Sequence, residues 1–284
     1  MAGYQDLYWT STDGVKLHAR DYAGDPAAVP VVCLPGLTRN ARDYAALAAT
    51  LAPGRRVIAV DFRGRGESGQ AKDPMSYVPA TYADDVRGLL VEAGIERFVA
   101  VGTSLGGLVA MLLAGDGVLR GAVINDVGPE IESAGLQRIR GYVGRGSSCP
   151  TWLHAARTVA DAHRDIYPSW ELDDWLGMAK RLYRVTSAGR IVLDYDLRIA
   201  EPFRVLATAE GPDMWEALGG LAAVPVLVVR GGRSDVLSAD VAARMIERLP
   251  QGELVTVPDV GHAPTLSEPA AAAGIARLLG RVAA

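Results

Sequence analysis

"VAVGTSLGGLVAM", residues 99–111, contains an abrupt change of pattern. The run at 97–102, RFVAVG, is apolar and β-branched and reads as a buried strand; the run at 104–115, SLGGLVAMLLAG, reads as a helix. Between them Gly102-Thr103-Ser104-Leu105-Gly106 leaves no room for a loop, so Ser104 falls on the corner itself. A residue driven through so tight a turn takes an unfavourable backbone conformation. Its neighbours two positions away on each side are crowded, which explains why they lack a Cβ. The helix that begins there aims its first N–H groups at the same point. A G-x-S-x-G pattern between a strand and a helix therefore presents an exposed serine hydroxyl as a nucleophile. The alternative is a glycine-rich turn in which Ser104 only caps the helix.

Outward from this corner the chain alternates strand and helix signals. Toward the N-terminus, 7–11 and 15–23 flank the turn Thr12-Asp13-Gly14 as a hairpin. VPVVCLP at 29–35 and RRVIAVD at 55–61 are strands, with helices at 41–52 behind Asn40 and at 81–94 closed by Gly94. LRGAVIND at 119–126 is the next strand. Cys33 falls inside a strand and reads as a small core residue. From 129 to 222 the alternation stops, and four helix-like pieces follow, with one short strand-like piece, RIVLDYD, at 190–196. Strand and helix then alternate again from VPVLVVRGG at 224–232 to the end. The pattern predicts an α/β core over 1–128 and 223–284, an eight-stranded and mostly parallel twisted sheet with helices on both faces, and a helical cap over 129–222 inserted after strand 6.

A serine hydroxyl needs a base. Of the four histidines, His18 lies in the early hairpin, and His154 and His163 read as surface positions of the helical insertion. His262, in VPDVGHAP just past the last strand, lies at the strand end where catalytic loops gather. The base in turn needs a carboxylate to hold its tautomer. Asp235, in VVRGGRSDVLS after the penultimate strand, is close in the chain to the His262 loop and is the expected partner. Asp126, after the strand GAVIN, is the alternative acid and otherwise reads as a turn residue at the entry to the insertion.

The order Ser104, Asp235, His262, together with DFRGRGES at 61–68, GGRSD at 231–235 and DVGHAP at 259–264, resembles the α/β-hydrolase fold superfamily of serine hydrolases with a helical cap. The resemblance extends over nearly all of the core, while the cap carries no assignable motif. It implies an oxyanion hole made by backbone N–H groups, which by position are those of Leu37 and Leu105. The loop that often reads His-Gly in this family is Leu34-Pro35-Gly36-Leu37 here, so its local shape departs from the pattern. The resemblance treats DFRGRGES as a structural turn. It implies an esterase or lactonase that forms an acyl-enzyme, or a hydrolase that cleaves a carbon–carbon bond of a β-diketone or ring-fission product with the same triad. Epoxide and haloalkane hydrolysis on this fold use an aspartate nucleophile, which Ser104 replaces. A non-catalytic ligand-binding protein on the same fold is the remaining alternative.

The 29 Lys+Arg against 33 Asp+Glu leave a net charge of −4, which points away from nucleic acid or an anionic membrane as partner. The expected partner is a small-molecule ester or lactone. No cofactor motif and no metal-ligand spacing occur. The start of the chain has no signal-peptide pattern, and no apolar run approaches the roughly 20 residues of a membrane span, so a cytoplasmic protein is expected. Trp152, Trp170, Trp175 and Trp215 lie in the insertion, as do Tyr142, Tyr167, Tyr183 and Tyr195, and are expected to line an apolar pocket. The insertion holds 11 Lys+Arg and 13 Asp+Glu, so an uncharged substrate is expected. A preference for an anionic ester would implicate an insertion arginine such as Arg138, Arg140 or Arg157.

Overall fold

The computed structural model describes residues 3–146, 148–205 and 212–282. Strands β1 (Gln5–Thr10) and β2 (Lys16–Tyr22) form the expected hairpin, and β3 (Val31–Leu34), α1 (Ala45–Leu51), β4 (Val57–Asp61), α2 (Pro79–Glu92), β5 (Phe98–Thr103), α3 (Leu105–Leu113) and β6 (Leu119–Asn125) follow. The segment after β6 carries α4 (Ser133–Tyr142), β7 (Ser148–Cys149), α5 (Trp152–His163), α6 (Leu172–Leu182), β8 (Tyr183–Val185), β9 (Ile191–Leu193), α7 (Glu201–Val205) and α8 (Met214–Gly219). The chain closes with β10 (Val226–Gly231), α9 (Ala239–Glu247), β11 (Gly252–Val257) and α10 (Pro269–Arg281).

Eight strands make one sheet in the order β1-β2-β4-β3-β5-β6-β10-β11. The β1–β2 and β2–β4 pairs are antiparallel and the rest parallel. The central strands are apolar at consecutive positions because both faces are covered. Val32, Leu34, Ile58 and Val60 pack on one side with Val86 and Leu89 of α2 and Val109 of α3. Val31, Cys33, Val57 and Ala59 pack on the other with Ala48 of α1 and Ile275 and Leu278 of α10. Chain reversal at the sheet centre gathers the ends of β3, β5, β6 and β10 along one edge, where a ligand crevice forms in such sheets.

The strand-like piece at 190–196 is not isolated: Ile191–Leu193 pairs antiparallel with both Ser148–Cys149 and Tyr183–Val185 in a second, three-stranded sheet. Those partners are two and three residues long, too short to show a period of two. Helix α6 stops at Leu182 because the residues that follow it, Tyr183–Val185, enter that sheet. A third apolar cluster, with Ala155, Val159, Trp175, Met178 and Ile191, lies in this segment, with Val260 of the core packed against it.

Candidate active site

At the corner after β5, Ser104 takes φ 52° and ψ −116°, in the region L-residues rarely occupy. The flanking glycines are required by space. A Cβ on Gly102 would lie 2.3 Å from the Gly106 carbonyl oxygen, and one on Gly106 would lie 1.9 Å from that of Leu34 in β3. The Ser104 N–H donates to the Asn125 carbonyl (2.9 Å), which ties the corner to the end of β6.

Ser104 Oγ lies 2.9 Å from His262 Nε2, and His262 Nδ1 lies 2.8 Å from Asp126 Oδ2. Because a carboxylate only accepts, the imidazole proton sits on Nδ1 and Nε2 faces the serine. Asp126 is fully buried and adopts φ 57° immediately after β6. Its carboxylate accepts three hydrogen bonds: from the Gly231 N–H (2.7 Å) on Oδ1, and from the Ser234 hydroxyl (2.7 Å) and His262 on Oδ2. The His262 loop is held in turn by Asn125 Nδ2, which donates to the Pro264 carbonyl at 2.8 Å, and by the Tyr167 hydroxyl, which donates to the Ala263 carbonyl at 2.6 Å.

The expectation that Asp235 orients His262 is therefore corrected. Asp235 lies four residues beyond the end of β10, and both its oxygens accept from Arg138 of α4, at 2.5 and 2.7 Å. Those hydrogen bonds hold its carboxyl below the ordinary range, with partial burial opposing them. Proximity in the chain favoured Asp235, but β6 and β10 are hydrogen-bonded neighbours, so the last residue of the β6 run reaches the histidine first.

The amides of Leu37 and Leu105 have no acceptor in the turns and helix starts among the described residues, and Leu37 and Ser104 line one cavity. The loop with Pro35 is pinned from below. Arg65, buried in the turn read as structural, donates through Nε to the Leu37 carbonyl (2.9 Å), and the Tyr44 hydroxyl donates to the Leu34 carbonyl (2.7 Å). That turn thus also shapes the site, a role its sequence did not reveal.

The cavity beside Ser104 and His262 holds about 410 Å³. Trp170 lines it, whereas Trp152, Trp175 and Trp215 do not. Trp152 and Trp175 pack inside the apolar cluster of the insertion, because α5 and α6 need their own core. Trp215 lies under the guanidinium groups of Arg244 and Arg248 and donates to Glu130 at 2.8 Å. All four of Tyr142, Tyr167, Tyr183 and Tyr195 reach the wall. So does His163, half-buried rather than on the surface, and burial pushes its pKa down to about 4.

The cavity wall does not share the charge balance of the insertion. Among the described residues it carries Arg39, Arg145 and Arg181 against the single carboxylate of Asp43. The wall arginines are thus not Arg138, Arg140 or Arg157, and one of them, Arg39, comes from the core loop after β3. No helix among the described residues is long and apolar enough to cross a membrane.

Residues 31–275 match the model of the alpha/beta hydrolase family. A crystal structure of an alpha/beta hydrolase from Novosphingobium aromaticivorans is similar with 54% identity and a TM-score of 0.94, covering 99% of this chain and 100% of that one. Among characterised sequences, the chain is 34% identical to a 3-hydroxybutyrate-oligomer hydrolase of Cupriavidus necator, over 87% of each protein. It is 27% identical to a 2-(acetamidomethylene)succinate hydrolase of Mesorhizobium japonicum, over 87% of this chain and 85% of that one. With the strand-to-helix corner, the sheet order and these matches in hand, the chain belongs to the alpha/beta hydrolase family.

Proposed function

We propose that the protein hydrolyses a carboxylic ester through an acyl-enzyme, with Ser104 as nucleophile, His262 as base and acid, and Asp126 as the carboxylate that orients His262. The observation that carries this reading is the unbroken relay of 2.9 and 2.8 Å from Ser104 through His262 to Asp126. Ser104 Oγ attacks the ester carbonyl carbon as its proton passes to His262 Nε2. The buried Asp126 carboxylate stabilises the imidazolium. The N–H groups of Leu37 and Leu105 receive the developing oxyanion. Collapse breaks the bond to the alcohol, which leaves with the proton from His262. Water, deprotonated by the same nitrogen, then attacks the acyl-enzyme and releases the acid and free Ser104.

In this reading the segment 129–222 caps the site, since its residues from α4, α5 and α6 form much of the cavity wall. The 3-hydroxybutyrate-oligomer relative supports an ester as the bond cleaved, because a hydroxy acid oligomerises through ester links. The lining residues give no support to the uncharged substrate expected from the composition of the insertion.

The test is Ser104→Ala assayed on a panel of short 4-nitrophenyl esters. Loss of the nucleophile should lower kcat by at least about 10⁴-fold, leaving only what binding and the oxyanion donors supply. A fluorophosphonate probe should label the wild type and not the variant. Undiminished turnover by Ser104→Ala would refute the assignment.

A further inference from the structure

The cavity wall presents two kinds of hydrogen-bonding group that an uncharged apolar ester would leave unused. The first is cationic. Arg39 donates to both oxygens of Asp43, through Nε and through Nη2 at 2.8 Å, and Arg181 Nε donates to the same carboxylate at 3.1 Å. One carboxylate therefore holds two guanidinium groups and aligns them. Each guanidinium has five N–H donors, so the two bonds to Asp43 leave Arg39 with its whole Nη1 group uncommitted among the described residues. A Cβ built on Gly36 would lie 3.4 Å from Arg39 Cγ and 3.8 Å from Ser104 Cβ, which sets the Arg39 stem beside the nucleophile. Arg145 lines the same cavity, is exposed, and has no side-chain partner among the described residues. Among the described lining residues Asp43 is the only carboxylate, so three guanidinium groups face one carboxylate there.

The second group is an acceptor. His163 Nδ1 lies 2.9 Å from the Val159 carbonyl oxygen, which can only accept, so Nδ1 carries the proton. Burial, with the charges of Arg39 and Arg138, keeps the ring neutral at physiological pH. Nε2, which has no partner among the described residues, is then a fixed lone pair on a residue of a wall that also carries guanidinium donors.

Building on the ester-hydrolase reading above, we propose that the natural substrate is an ester of a hydroxy acid with a free carboxylate, the carboxylate held by Arg145 and Arg39 and the hydroxyl donated to His163 Nε2. Guanidinium–carboxylate pairing is strong because both partners are charged and the geometry is forked. A hydroxyl facing the neutral imidazole satisfies an acceptor that a plain alkyl chain would leave desolvated.

The test compares three substrates cleaved at the same internal ester: the linear dimer of a 3-hydroxy acid, its terminal primary amide, and its analogue lacking the free hydroxyl. Wild-type kcat/KM should favour the free acid over the amide by about tenfold or more, and the hydroxylated over the deoxy substrate by about fivefold. Arg145→Gln should collapse the acid-to-amide ratio toward one, with Arg145→Lys retaining part of it. His163→Leu should collapse the hydroxyl ratio, with His163→Gln retaining part of it through its amide oxygen. A wild-type ratio near one in either comparison, or ratios unchanged in Arg145→Gln and His163→Leu, would overturn the proposal. If the wild type cleaves 4-nitrophenyl butyrate and shows neither preference, this inference alone fails. If it cleaves no ester at all, the ester-hydrolase reading fails with it.

Discussion

Two aspartates stand past the ends of two neighbouring strands and do opposite things. Asp126, directly after β6, is fully buried, takes a left-handed backbone and collects three donors, one of them the imidazole of His262. Asp235, four residues past β10, has a side chain 33% exposed and pairs with Arg138 of the insertion. The first is fixed by the sheet and can orient a base with little freedom to move. The second joins a loop of the core to α4. A Cβ on Gly135, one helical turn before Arg138, would lie 2.3 Å from the Asp235 carbonyl oxygen, so α4 lies directly on that loop. Burial and the number of donors separate the orienting carboxylate from the tethering one; the residue type and its place after a strand do not.

The largest test of this contrast is the pair of isosteric variants. Asp126→Asn should lower kcat by about 10³- to 10⁴-fold, because an amide at that position no longer fixes the imidazole tautomer. Asp235→Asn should lower kcat less than about tenfold, since it only loosens an ion pair to α4. Steady-state kinetics on one ester, with circular dichroism to confirm folding, decides it; the reverse ranking would return the orienting role to Asp235.

Ser234 lies between the two aspartates and sharpens the comparison at smaller scale. Its hydroxyl donates to Asp126 and accepts the N–H groups of Val236 and Leu237 at 3.2 and 3.1 Å. Ser234→Ala removes one of three donors to the buried carboxylate, a loss of about 1 kcal/mol, and should lower kcat by roughly fivefold. An unchanged kcat would mean that Gly231 and His262 alone suffice to hold Asp126.

The smallest effect concerns the tether. Arg138→Gln should cost less than about 1 kcal/mol of unfolding free energy at neutral pH, because the pair is about one-third exposed and screened. The Asp235 carboxyl titrates below its ordinary value because Arg138 donates to it. Its contribution is therefore full above the unfolded-state value and fades as pH falls through the folded one. Denaturant titrations of wild type and Arg138→Gln should differ at pH 7 and converge from about pH 4 downward. A difference that widens on acidification would contradict the ion-pair origin.

Much of this arrangement was legible in the residues. The abrupt meeting of a strand-like and a helix-like run at Gly102–Gly106 predicted the corner, and the structure supplies the two backbone clashes that require the glycines. Ser104 and His262 were legible because each follows a strand in a glycine-bearing turn. Asp126 reads only as the alternative acid because a period of two marks where a strand ends but carries nothing about which strand lies beside it. Arg65 and Ser234 were not legible, since an arginine or a serine in a polar turn has no pattern that tells a solvated side chain from one buried under a neighbouring loop. Three of the four tryptophans were misplaced because aromatic content in a helical insertion serves the packing of its own helices before it serves a cavity.

By itself the sequence determined the α/β alternation, the interruption after strand 6, the strained serine corner and the histidine loop, because each rests on local properties: side-chain periodicity, missing Cβ atoms and turn chemistry. The tertiary structure alone decided which aspartate meets His262, which arginines and aromatic rings line the cavity, and that β7, β8 and β9 pair. Those outcomes depend on the lateral order of strands and on the packing of the insertion over the sheet. Both are contacts between residues far apart in the chain, set by the burial of whole faces and not by any residue's immediate neighbours.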